Sequence, residues 1–147
     1  MSNFEELHFS DGMVLSIEPV SWAQLAPFLC EQLLLSQDVD KDVLRLREEH
    51  LYQQCTEGFF VNGELVGYAR HNAMRLHLSQ IYLCPIIRRR GIARYYIESR
   101  KIQGLWVMGE NTAAITLYGS MGFGYIGHTY NRLYLSRLPN HLAIMPA

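Results

Sequence analysis

Hydrophobic and polar positions along this chain follow two rhythms. From Gly12 to Val20, "GMVLSIEPV", apolar residues recur at nearly every second place, which predicts a first strand. "SWAQLAPFLCEQLLLS" then shifts to helical spacing, with Ser21 and Gln24 at the separation of a capping box. Pro27 must kink this helix or mark its true first turn, because it lacks an N–H to donate. "DVDKDVLRLREEHLYQQC" offers Asp38 or Asp40 as an N-cap ahead of a charged amphipathic helix. In "GFFVNGELVGYAR", Asn62-Gly63 divides two apolar runs and predicts a tight hairpin. A further strand is expected over Arg75–Pro85, a short helix after Gly91, a strand in "GLWVMGE", a helix behind Asn111 ending at Gly122, and two closing strands in "FGYIGHTYNRLYLSRL".

Early helices, an antiparallel meander, then strand-helix-strand-helix-strand predict an α/β fold: a mixed, mostly antiparallel central sheet with helices on both faces. No repeat, low-complexity tract or Pro/Ser linker interrupts the chain, so residues 1–147 are expected to form a single domain. At 17.0 kDa the chain is long enough to bury a core without covalent staples. Its three cysteines, Cys30, Cys55 and Cys84, are odd in number and widely spaced, which argues against a disulfide framework and for a reducing cytoplasm. No apolar run is long enough to cross a bilayer, and the acidic start "MSNFEELHFSDG" lacks a signal pattern, so no membrane partner is expected.

Charge changes the picture more than composition does. Through Glu64 there are 12 acidic residues against 3 basic, and from Leu65 onward 10 basic against 2 acidic. A basic second half suggests an anionic ligand, either nucleic acid or a phosphorylated cofactor. The acidic first half reads most simply as solvated surface, with a weak hint of a cationic acceptor.

Several familiar chemistries are set aside. "GFGYIG", Gly122–Gly127, spells a dinucleotide fingerprint, but strand-like sequence follows it and the chain nearly ends there. The six histidines show no paired-ligand spacing, so no metal is expected. "YGSMG" is not a nucleophile elbow. Cys84 precedes a predicted helix N-terminus, which would lower a thiol pKa, yet a cysteine at a strand end is more often a small buried hydrophobe.

The stretch "CPIIRRRGIARYYIESRK", Cys84 to Lys101, carries the most chemistry. A strand ends at Pro85, a turn holds Arg88-Arg89-Arg90-Gly91-Ile92-Ala93, and a helix begins. Helix N-terminal amides have no intrahelical partner, and the helix dipole adds positive charge. Gly91 and Ala93 let an anion approach the backbone, so the turn is a candidate diphosphate site. A nucleic-acid patch or a basic solvated turn remain the alternatives.

"RRRGIA" fits the Q/R-x-x-G-x-G/A pattern of the GNAT-type N-acetyltransferases, and "NTAAITLYGSMGF" resembles that family's next motif at Asn111, Ala114, Leu117-Tyr118 and Gly122-Phe123. The two occur in the right order with a strand between them, and the resemblance extends over roughly Val14 to Leu135. It implies an acyl-CoA-dependent N-acyltransferase that passes acetyl from acetyl-CoA, as co-substrate, to a primary amine in a ternary complex. Arg88, Arg89, Arg90, Gly91, Ile92 and Ala93 would hold the CoA pyrophosphate. Main-chain groups at Leu83 would pair with the pantetheine arm, and Asn111 would touch it through its side chain. Tyr118 would protonate the departing thiolate; a phenol suits that role because its pKa is near that of a thiol.

Where many relatives carry a glutamate, this chain reads Arg75-Leu76-His77-Leu78-Ser79-Gln80. His77 is therefore the candidate base, with Glu110 the nearest acidic alternative. The segment from Gly91 to Asn111 is shorter than the family's habit, so the helix there should be truncated and the next strand begin near Ile102 or Gly104. Arg94, Arg100 and Lys101 would then be available to the 3′-phosphate of the cofactor. The resemblance implies a small-molecule or protein amine as acceptor and leaves a homodimer open. Two other readings compete: a GNAT-like protein that modifies or binds nucleic acid, and a catalytically degenerate fold kept for binding.

Overall fold

The computed structural model describes residues 5–33, 55–72, 76–139, 141–143 and 145, so the helix expected over "DVDKDVLRLREEHLYQQC" lies almost wholly outside the described residues. The elements run β1 (Glu5–His8), β2 (Val14–Pro19), α1 (Trp22–Leu33), β3 (Cys55–Val61), β4 (Glu64–Asn72), β5 (His77–Leu83), a 3-10 turn (Pro85–Ile87), α2 (Ile92–Ser99), β6 (Gly104–Met108), α3 (Thr112–Ser120), β7 (Gly124–Thr129) and β8 (Arg132–Ser136). Eight strands join in the order β1-β2-β3-β4-β5-β6-β8-β7. The result is a mixed α/β fold on a mostly antiparallel sheet. The chain forms two compact units: Met1–Arg70 with Tyr82–Ile87, and His71–Ile81 with Arg88–Ala147.

In the first unit, β1 pairs antiparallel with β2 across a turn that needs Gly12 at φ 91°. The sequence reading missed β1. It is an edge strand of alternating half-buried and exposed residues, so its apolar signal is weak. In β2, Leu15 and Ile17 are fully buried while Ser16 and Glu18 are not, which is the expected alternation. The capping box forms as predicted: the Gln24 N–H donates to Ser21 Oγ at 3.2 Å, and the Ser21 N–H donates to Gln24 Oε1 at 3.0 Å. Such a cap stabilises by about 1 kcal/mol.

Pro27 lies inside α1, which nevertheless continues to Leu33. The apolar face of this helix (Leu25, Phe28, Leu29) packs with Val20, Phe60 and Tyr68. Phe28 meets Tyr68 and Tyr82 edge-on, each at 6.0 Å between ring centres. Half-buried Cys84 also packs on this cluster, consistent with its reading as a small hydrophobe. Between β3 and β4, Asn62 at φ 53° and Gly63 at φ 78° make the left-handed two-residue turn expected of Asn-Gly.

In the second unit, β5 and β6 run parallel with α2 as their crossover. β8 then pairs antiparallel with β6, and β7 with β8, with a bulge between Tyr125 and Gly127. Gly122 at φ 92° closes α3, and β7 follows directly, so "GFGYIG" opens a strand rather than a helix. α2 has 8 residues and β6 begins at Gly104, as the short spacing to Asn111 required. No helix among the described residues is long and apolar enough to cross a membrane.

Candidate functional site

The turn before α2 is built by two left-handed residues, Arg89 at φ 63° and Gly91 at φ 76°. Gly91 is the N-cap of α2, with no side-chain cap bond. The first helical hydrogen bond is the Tyr95 N–H to the Gly91 carbonyl at 2.9 Å, so the amides of Ile92, Ala93 and Arg94 fall in the turn that has no intrahelical acceptor. A Cβ on Gly91 would meet nothing within 4 Å. Glycine is therefore required here by backbone conformation, and the surface beside it is open. Arg88 and Arg89 are exposed and Arg90 is half-buried. An uncapped helix start beside an open glycine, in a turn that carries three arginines, suits a diphosphate.

α2 is held from behind. Ile92, Tyr96 and Ile97 form its buried stripe, and the Tyr96 hydroxyl lies 2.8 Å from His71 Nδ1. Arg100 stacks over the Tyr96 ring at 4.5 Å, and Arg94 donates to Ser120 Oγ at 3.0 Å. Two of the three cations expected to be available to a 3′-phosphate are thus already engaged within the fold, and exposed Lys101 is the third.

Among the described residues, β5 and β6 pair at two positions, His77↔Gly104 and Leu78↔Leu105. β6 remains fully paired with β8 on its other side, from Gly104↔Ser136 to Met108↔Arg132.

α3 places two of the predicted residues. Asn111 caps it, with Oδ1 accepting from the Ala114 N–H at 3.1 Å, so its carboxamide oxygen serves the helix. Tyr118 is 5% exposed and meets Phe123 edge-on at 6.2 Å. Desolvation pushes its phenol up to about 12. Glu110 is exposed in the loop before Asn111.

His77 is buried at the closing rung, its ring stacked on Tyr134 at 5.5 Å and 17°. Tyr134 was not anticipated. It meets Trp106 edge-on at 5.1 Å, Arg132 stacks on the other ring of that pair at 4.8 Å, and burial raises the Tyr134 phenol. A Cβ on Gly104 would collide with the Tyr134 hydroxyl. Only the strand register shows this relation, since Tyr134 pairs with Trp106, two residues from Gly104.

Arg88–Ala93, Asn111, Tyr118 and His77 therefore share the second unit, while Leu83 ends β5 in the first. Among the described residues, no three His, Cys, Asp or Glu side chains gather as a metal site.

No family model and no curated protein matches the sequence. Solved structures do match. PaiA N-acetyltransferase from Thermoplasma acidophilum, in complex with coenzyme A, is 15% identical at TM-score 0.58, over 82% of this chain and 96% of that one. YncA from Salmonella typhimurium, with its cofactor acetyl-CoA, is 17% identical at TM-score 0.53, over 88% and 96%. A GNAT-family acetyltransferase from Streptococcus pneumoniae is 21% identical at TM-score 0.53, over 82% and 96%. The fold of this chain is that of the GNAT-type acetyltransferases.

Proposed function

We propose that this protein is an acyl-CoA-dependent N-acyltransferase acting on a primary amine. The observation that carries the reading is the uncapped, arginine-framed start of α2, in the same unit as the two register pairs that join β5 and β6. That arrangement suits a ligand with a diphosphate at one end and an amide-bearing arm at the other. Neighbours of the same fold were solved with coenzyme A or acetyl-CoA.

In the reaction, the amine nitrogen attacks the thioester carbonyl. The C–N bond forms, the C–S bond breaks with its electron pair going to sulfur, and the new ammonium loses a proton. In this reading Tyr118 donates a hydrogen bond to the sulfur as its charge builds. With its phenol near 12, Tyr118 stays protonated throughout the physiological range. Full transfer of that proton to a thiolate of ordinary pKa, ~8.5, would be uphill by roughly 5 kcal/mol. Tyr118 is therefore assigned hydrogen-bond stabilisation of the leaving group, and the proton that finally reaches sulfur comes from solvent. This revises the expectation that phenol and thiol are matched in pKa. His77 is assigned the amine proton, from its buried place where β5 pairs with β6.

The test is to incubate purified protein with acetyl-CoA and a panel of amines, following thiol release and product mass. Product from at least one primary amine is expected. Absence of acyl-CoA binding by calorimetry would overturn the reading in favour of a degenerate fold.

A further inference from the structure

Arg137 directly follows β8, and its side chain joins elements that lie far apart along the chain. Its N–H donates to the Gln103 carbonyl at 3.0 Å, which holds the residue beside the start of β6. Its Nη1 donates to Glu98 Oε1 at 2.8 Å, in the last turn of α2. Its guanidinium carbon lies over the Phe123 ring, 4.9 Å from the ring centre. Phe123 follows α3 and is buried; it meets Tyr118 edge-on, and its N–H donates to the Tyr118 carbonyl at 3.1 Å. Glu98, Arg137, Phe123 and Tyr118 therefore form a chain of contacts from α2 to the phenol.

Stability alone does not account for an arginine here. Its Nε is buried and finds no acceptor among the described residues, and a buried donor left unmet destabilises a fold. The Glu98 pair offsets little of this, since the Glu98 side chain is 56% exposed and solvent screens it. A leucine or methionine would cover Phe123 without burying that donor. What arginine supplies and an aliphatic side chain does not is direction. Its planar group is tied to Glu98 by a hydrogen bond and stacked on the ring at the same time. A second arginine works between the same two helices, because Arg94 of α2 donates to Ser120 Oγ at the end of α3.

Resting on the acyltransferase reading, we infer that Arg137 is a positioning residue for Tyr118, acting through Phe123. It holds the phenol in the orientation that meets the sulfur of the leaving group. Through Glu98 it ties that orientation to α2, the helix whose start suits the diphosphate. Tyr118 touches the reacting atoms in this scheme, and Arg137 does not.

The test follows the ring itself. The full chain is labelled with 3-fluorotyrosine, and of its nine tyrosines the Tyr118 fluorine signal is assigned as the one lost in Tyr118→Phe. Arg137→Leu should broaden or split this signal as the ring takes a second orientation. Arg137→Lys, which keeps a cation for Phe123 and Glu98, should restore most of the single line. Glu98→Gln, an exposed change, should give a smaller effect in the same direction and serves where Arg137→Leu does not fold. In turnover with an amine that the protein acetylates, Arg137→Leu should lower kcat at least about three-fold with the acetyl-CoA KM unchanged. In a Tyr118→Phe background the same change should cause no further loss, which a purely structural role would not reproduce. A Tyr118 signal that none of the three variants alters, or that Arg137→Lys disturbs as much as Arg137→Leu, overturns the inference. So does a full additive loss of kcat in the Tyr118→Phe background. No binding of coenzyme A by the parent protein in calorimetry overturns the site reading instead, whatever the Tyr118 signal shows.

Discussion

His71 Nδ1 and the Tyr96 hydroxyl meet at 2.8 Å in the interior, with their rings crossing at 77°. This bond ties β4 to the middle of α2, the helix whose N-terminus presents the amides beside Gly91. Tyr96 is fully buried, so Tyr96→Phe removes a buried hydrogen bond without changing the ring packing. The expected loss of stability is about 1–3 kcal/mol, read from the urea midpoint. Coenzyme A affinity should fall with it, because the diphosphate turn depends on where α2 starts.

Gly91→Ala separates conformation from crowding. The new methyl meets nothing, so the cost is that of holding φ 76° with a Cβ, about 1–2 kcal/mol. Gly91→Asn should cost less, since asparagine tolerates the left-handed region. If the turn holds a diphosphate, calorimetry should show coenzyme A binding weakened in the order Ala more than Asn.

Tyr118 gives a signed pH prediction. Its folded pKa is about 12 against an ordinary 10.0, so the folded state holds this proton more tightly than the unfolded state. The associated stability is fully present below pH 10 and is lost as pH rises toward 12. The shift corresponds to about 3 kcal/mol. Urea unfolding from pH 9 to 12 should therefore show a smaller alkaline loss for Tyr118→Phe than for the parent. In turnover, the same variant should lose about ten-fold or more in kcat with little change in acetyl-CoA affinity; unchanged turnover would remove Tyr118 from the mechanism.

Gly104→Ala tests the opposite kind of glycine. Its φ is ordinary but its Cβ collides with the Tyr134 side chain, so that ring or the strand must shift, at a cost of about 1–3 kcal/mol. In a Tyr134→Leu background the penalty should shrink, and a double-mutant cycle measures that coupling.

What the sequence made legible was local chemistry. Ser21 with Gln24, Asn62-Gly63, and the arginine-glycine turn each act within a few residues, and each took its expected form. The short helix after Gly91 followed from simple chain length. What stayed hidden arises between strands. The parallel register of His77↔Gly104 and Leu78↔Leu105 is a property of two strands meeting, and no residue type announces it. Tyr134 lies 57 residues from His77 and reaches it only through register. The rise in the Tyr118 phenol is a desolvation effect that the identity of the residue cannot reveal.

The strand at one end of the sheet order also bears on how copies of this chain meet. β1 is four residues long and carries Glu5, Glu6 and His8, and a short, charged edge discourages strand-to-strand association. Glu6→Val should therefore raise self-association on storage or heating while leaving the unfolding midpoint nearly unchanged.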